Sequence, residues 1–174
     1  MFDFYSNDGD KIRYVLGCDG ERTLVVIGIN PSTATAEKFD HTISRVNGFL
    51  KKYNFDSFKM INIYPFRSTK PDMLPMMLDS NIHKQNLIEI KKALHGAEVI
   101  LCAWGDLIFK RTYLIQCLND IADIVETKHI PTYCLGLTMA GNPRHPLSRT
   151  KTPECMMKFE IKKYIKEIVK GDIR

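Results

Sequence analysis

Asn30 closes an apolar run, Leu24-Val25-Val26-Ile27, in the turn Gly28-Ile29-Asn30-Pro31-Ser32-Thr33; His145 stands far downstream in Gly141-Asn142-Pro143-Arg144-His145-Pro146-Leu147-Ser148. An amide can orient a water or read a hydrogen-bonding edge, and an imidazole titrates near neutrality and can donate or accept. Facing one another across a cleft, the two suit hydrolysis or recognition of a polar ligand. Apart, they have plainer roles. Asn-Pro is common turn chemistry in which the side chain bonds nearby backbone, and a lone loop histidine is ordinarily a surface residue.

Two further positions share the same kind of place. Asn62, followed by Tyr64-Pro65, interrupts the apolar run Phe58-Lys59-Met60-Ile61-Asn62-Ile63-Tyr64, and Trp104-Gly105 ends the run Val99-Ile100-Leu101-Cys102-Ala103. A buried amide must be satisfied by its own protein or by a ligand, and a tryptophan at a strand end serves as core or as the wall of a cleft. The loop after Asn30 adds Ser32, Thr33 and Thr35, then Asp40, Thr42 and Arg45 at the start of the next helix. Hydroxyls at a helix N-terminus suit a phosphate. Alternatively Asp40 caps the helix and Arg45, one turn on, pairs with it.

All four polar positions fall at the carboxyl ends of predicted strands, where open α/β sheets bind ligands. The elements that would hold them alternate. Lys11–Leu16 and Thr23–Ile29, joined by a Cys18-Asp19-Gly20 turn, read as a hairpin, so the first strand is expected antiparallel beside the second. Helix follows over 41–53, with Ile43, Val46, Phe49 and Leu50 at helical spacing, then the strand through Asn62 and an irregular loop with Pro65, Pro71 and Pro75. Helix over 80–95 closed by Gly96, strand 98–104, helix 106–124, strand 132–135, a polar loop 136–152 and a last helix 154–170 opened by Pro153 complete the chain. The pattern predicts a three-layer α/β/α fold, with a central, mainly parallel four-stranded sheet plus an N-terminal antiparallel edge strand.

Length and composition bound the rest. At 174 residues, 44% hydrophobic and 26% charged, the chain is expected to form one globular domain over 1–174. No apolar run is long enough for a membrane helix, and Met1-Phe2-Asp3-Phe4-Tyr5-Ser6 lacks the basic and apolar regions of a signal peptide, so a cytoplasmic location and no membrane partner are expected. The five cysteines are widely spaced, without a C-x-x-C pair, and read as reduced core residues. A net charge of +5 permits an anionic partner without demanding one, since Lys158, Lys162, Lys163, Lys166 and Lys170 read as the solvated face of the last helix. The sequence says nothing of the oligomeric state.

In order along the chain, Gly28-Ile29-Asn30-Pro31, Ile61-Asn62, Ala103-Trp104-Gly105 and His145-Pro146-Leu147-Ser148 resemble the motifs of the uracil-DNA glycosylase superfamily. More narrowly, Asn30 to Ala34, Asp40 to Arg45, Asn62, Ala103 to Gly105 and Gly141 to Leu147 are similar to an uncharacterised bacterial and phage domain family of unknown function. The glycosylase resemblance implies that fold and a pocket for a base turned out of its stack, in DNA or a nucleotide. It implies Asn30 and His145 as catalytic residues, one holding water and the other steadying the departing base. Asn62 would read the base edge, and Tyr64, Phe66 or Trp104 would stack under it. Gly28, Pro31 and Gly105, with Asp40 and Arg45, would belong to the substrate-binding pocket, while Arg144, Ser148, Ser32 and Thr33 would hold phosphates. No cofactor or metal is implied. The chain departs from the family where the most active branch carries an aspartate base: Asn30 can orient water but cannot accept its proton. A binding module without catalysis, and a small-molecule hydrolase or transferase using Asp40, Arg45 and His145, are the alternatives.

Overall fold

In a computed structural model, which describes residues 4–9, 11–35 and 37–171, strand and helix alternate and the sheet has seven strands. Met1 to Asp3, read above for a signal peptide, lie outside the described residues. The strands are β1 (Phe4–Asp8), β2 (Ile12–Gly17), β3 (Thr23–Gly28), β4 (Ser57–Asn62), β5 (Ala97–Cys102), β6 (Thr132–Cys134) and β7 (Met157–Lys158), in the order β1-β2-β4-β3-β5-β6-β7. Four of them, β4, β3, β5 and β6, are mutually parallel, as expected. The sheet is larger than expected because antiparallel strands extend both ends.

The helices are α1 (His41–Tyr53), α2 (Ser80–Ala93), α3 (Tyr113–Thr127) and α4 (Ile161–Lys170). Alternating residues of the strands feed two apolar layers. Leu24 and Val26 of β3, with Phe58 and Met60 of β4, meet Ile43, Val46, Phe49 and Leu50 of α1. Val25, Ile27, Ile61, Ile100 and Cys102 point the other way, into a layer closed by α2, α3 and α4. Asp40 caps α1 by accepting from Ile43 N at 2.9 Å, and Asp79 caps α2 through Asn81 N and Ile82 N. No helix among the described residues is long and apolar enough to cross a membrane. All five cysteines are free; Cys102, Cys117 and Cys134 are buried, and burial pushes the Cys117 thiol up to about 12.

Three expectations are corrected. The β2–β3 hairpin does not form: β2 pairs antiparallel with β4, and β3 lies beyond β4 between it and β5. Local turn residues specify a reversal, not which strand the chain returns beside. Gly17 permits the closer partner, since a Cβ there would sit 2.1 Å from the Phe58 carbonyl oxygen. The predicted helix 106–124 splits into a 3₁₀ turn, Gly105–Lys110, and α3. The predicted helix 154–170 is shorter, because Met157 and Lys158 pair with Cys134 and Tyr133 as β7, so Lys158 belongs to a strand rather than to the helical face.

β2 runs opposite to the parallel strands. Its first residues lie at the carboxyl end of the parallel strands, where Arg13 N donates to Pro65 O at 3.0 Å.

Candidate functional site

Asn30 and His145, 115 positions apart in sequence, line one cleft of about 210 Å³ at the carboxyl edge of the sheet. It lies over the face covered by α1. Its floor is Gly28, Ile29 and Met60, and its walls include Arg13, Ser32, Asp40, Thr42, Ser68, Thr69 and Leu107. The turn after β3, the start of α1, the loop after β4, the 3₁₀ turn after β5 and the loop after β6 all contribute.

Asn30 is fixed by its donor side. Nδ2 gives hydrogen bonds to Pro31 O at 3.0 Å, Ser68 O at 2.9 Å and Phe66 O at 3.4 Å, which fastens the loop after β4 to the turn after β3. Its Oδ1 takes no protein hydrogen bond among the described residues. The turn reading of Asn30 is therefore realised, and an acceptor remains at the cleft.

His145 is held by the loop after β6. Gly105, in the left-handed region at φ +66, donates its N–H to Pro143 O at 2.8 Å and so seats the chain that carries the histidine. Leu147 N donates to His145 Nδ1 at 3.2 Å, so in the neutral ring Nε2 carries the hydrogen. Burial holds the imidazole below its ordinary value of 6.5, opposed by the negative charge of Asp40. At neutral pH the ring is thus an uncharged donor.

Behind this loop runs a closed polar chain. Trp104 Nε1 donates to Tyr164 Oη at 3.3 Å, Tyr164 Oη to Asn142 Oδ1 at 2.5 Å, and Asn142 Nδ2 to Asp106 Oδ1 at 2.7 Å, where Thr138 Oγ1 also donates at 2.6 Å. Burial pushes the Tyr164 hydroxyl well up, so it stays protonated as a donor.

Asn62 differs from every other residue here. It is 0% exposed, and neither Nδ2 nor Oδ1 has a hydrogen-bond partner. It is paired with Gly28 across the β3–β4 ladder, and a Cβ built on that glycine would lie 3.0 Å from Asn62 Oδ1 and 2.5 Å from Met60 Cε. The amide therefore lies against Gly28 of the lining, on the α1 side of the sheet, and Asn62 itself does not line the cleft.

Other anticipated residues are placed elsewhere. Trp104 is fully buried on the opposite face against Phe159 and Tyr164, and Tyr64 lies in that same layer beside Tyr113. Neither lines the cleft. Arg45 bonds Thr152 Oγ1 at 2.9 Å and covers the Phe49 ring instead of pairing with Asp40. Arg144 donates to Leu137 O at 2.9 Å and Thr150 Oγ1 at 3.1 Å, and Ser148 Oγ also meets Thr150, so both organise the loop outside the cleft. Pro31 accepts from Ser68 N at 2.8 Å, and the exposed Thr33 accepts through its carbonyl from Arg67; both support the turn without lining the cleft. Among the described residues no group of three or more His, Cys, Asp or Glu is placed to hold a metal.

Arg13, Ser68 and Thr69 were missed. Arg13 is 2% exposed on β2, where a charged residue in an alternating strand reads as its solvent side; the signal that placed it inward was the pairing of β2 with β4, which sequence did not supply.

No curated protein and no solved structure matches the chain. One family model does, over residues 13–147, a span that takes in every residue lining the cleft. The chain therefore belongs to the DUF1643 family of proteins of unknown function.

Proposed function

We propose that the cleft recognises a nucleobase and that the protein is a DNA glycosylase-like hydrolase of the N-glycosidic bond of an unusual or damaged base. The observation that carries the reading is Asn62. A fully buried amide without partners costs roughly 1–3 kcal/mol of stability, and a base edge offers the complementary donor and acceptor. The ordered resemblance of the four motifs to the uracil-DNA glycosylase superfamily supports the same reading, as does the meeting of Asn30 and His145 in one cleft.

The chemistry then follows from the donors present. As the glycosidic bond stretches, the sugar gains positive character and the base leaves with negative charge on its carbonyl oxygen. His145 Nε2–H, uncharged and partly shielded from water, hydrogen-bonds that oxygen; a preorganised donor of this kind is worth ~3–4 kcal/mol in the barrier. Asn30 presents Oδ1 to the attacking water and orients it. With an amide at that position, the water's proton passes to the departed base anion after the glycosidic bond has broken, so turnover is modest.

A panel of oligonucleotides, each with one modified base, tests this by release of free base. We expect excision of at least one base, reduced roughly 10²–10³-fold in His145→Ala and strongly in Asn30→Ala. Undiminished excision in both folded variants sinks the assignment. A second reading, recognition without cleavage, is favoured by one observation: all Asn30 donor hydrogens are spent on carbonyls. Binding of a modified base with no product on any member of the panel selects it.

A further inference from the structure

Asn62 has no side-chain hydrogen-bond partner among the described residues, yet it does not line the cleft. Two residues that do line it, Gly28 and Met60, meet at the amide. Residues 60 and 62 alternate onto the same side of β4, and a Cβ built on Gly28, which faces Asn62 across the ladder, would lie 2.5 Å from Met60 Cε and 3.0 Å from Asn62 Oδ1. The two covering residues differ in what can move. The Gly28 carbonyl accepts from Ile63 N at 2.9 Å, and the carbonyl of Ile27 before it accepts from Ala103 N at 2.9 Å, so this backbone is tied to the chain on both sides. The Met60 side chain is unbranched, flexible at its end and held by apolar packing alone, 4% exposed. Turning its last bonds withdraws Cε without disturbing the strand.

We infer that Met60 is a gate over an inner compartment of the cleft, and that an occupant reaches the Asn62 amide only when the methionine turns aside. Closed, the thioether keeps the amide out of the lining. Open, it presents Nδ2 as donor and Oδ1 as acceptor to the edge of a flat ring that carries an acceptor beside a donor. That this ring is a nucleobase rests on the base-recognition reading above; the gate rests on the packing around Gly28. Ile43 shares both the lining and the apolar layer of Met60, so the displaced thioether keeps apolar surroundings, and the occupant's hydrogen bonds to Asn62 drive the opening.

Thiol trapping measures the gate without any ligand. In Asn62→Cys of the whole chain, alkylation by iodoacetamide is followed at each cysteine by peptide mass spectrometry. Cys102, fully buried in the layer on the other side of the sheet, reports opening by unfolding, and the exposed Cys155 reports the reagent. We expect position 62 to react at least about tenfold faster than Cys102, because turning one side chain costs less than unfolding. Adding Met60→Ala should raise the rate at position 62 by roughly another tenfold while that of Cys102 stays unchanged. Met60→Leu nearly conserves volume, so the core accepts it, but lacks the terminal methyl that reaches Gly28; it should give a smaller rise in the same direction and serves if the alanine variant does not fold. A thiol at position 62 that reacts no faster than Cys102, or a rate that neither Met60 variant changes, overturns the gate. Titration of the parent chain and of Asn62→Leu with uracil, cytosine, adenine and guanine separates the two readings. If the Met60 variants free the thiol while no base binds, or while Asn62→Leu leaves base affinity unaltered, base recognition falls and the gate stands. If a base binds through Asn62 while the thiol rate ignores Met60, the gate falls and base recognition stands.

Discussion

Asn62 and Asn142 are the same side chain at the same depth, both 0% exposed, at opposite sides of one sheet edge, and their surroundings treat them in opposite ways. Asn142 is closed into a chain, its Oδ1 accepting from Tyr164 and its Nδ2 donating to Asp106. Asn62 has no partner at either atom. Folding tolerates a buried amide when its hydrogen bonds are made, and charges for it when they are not. The difference separates a residue that holds the His145 loop in shape from one whose buried hydrogen-bonding atoms are unused within the described residues.

The largest effect is therefore expected at the satisfied amide. Asn142→Leu keeps the shape, removes both bonds and leaves the buried Tyr164 hydroxyl without its acceptor, while the exposed Asp106 carboxylate keeps Thr138 and solvent. Destabilisation of about 2–3 kcal/mol should follow, read as a fall in melting temperature of roughly 4–12 °C. A melting temperature equal to that of the parent would show that the chain of bonds does not hold the loop.

The identical change at the orphan should have the opposite sign. Asn62→Leu removes a polar group that gains nothing in the unliganded protein, so stability should rise by about 1 kcal/mol, while binding of any base-containing ligand is lost. Chemical denaturation measures the first and titration the second. Destabilisation comparable to that of Asn142→Leu would mean that the two amides are equivalent after all.

Gly28→Ala sharpens the contrast from the cleft side. The added Cβ meets Met60 Cε at 2.5 Å and Asn62 Oδ1 at 3.0 Å. Since Met60 Cε is the free end of a flexible side chain, the fold should accommodate the methyl at a cost of about 1 kcal/mol, but the floor above Asn62 is closed. Weakened ligand binding with nearly unchanged unfolding is the expected pair of results. Unweakened binding would show that the ligand does not approach Asn62 across the floor.

How much of this was legible beforehand depended on whether the relevant signal was local. The parallel strands, α1 with its Asp40 cap and α2 ending before Gly96 followed from periodicity and capping chemistry. That Asn30 and His145 would share a cleft was readable from their common place at strand ends. For Trp104, left open as core or cleft wall, alternation decides for the core: Leu101 and Ala103 point to the α1 side and period two sends Trp104 with Cys102 to the other. The pairing of β2 with β4 was not readable, because Asp19-Gly20 encodes a turn and says nothing of the neighbour. Arg13 was lost with it. β7 is two residues long, too short for any periodic pattern, and the lysines that follow hid it inside an apparent helix.

The smallest effect concerns the histidine that the satisfied loop delivers to the unsatisfied floor. Burial lowers its pKa and Asp40 raises it, with burial the larger. The folded value lies below that of the unfolded chain, so as pH falls through 6.5 the unfolded state gains the proton first and this site's contribution to stability declines toward the folded pKa. His145→Gln should flatten that part of the stability profile. Asp40→Asn keeps an N-cap and removes the charge that holds the value up, so the His145 midpoint, followed by the NMR shifts of its ring protons, should move to lower pH still. Movement upward would mean that Asp40 acts on the ring through something other than its charge, and the uncharged state of the Nε2–H donor would then need a different origin.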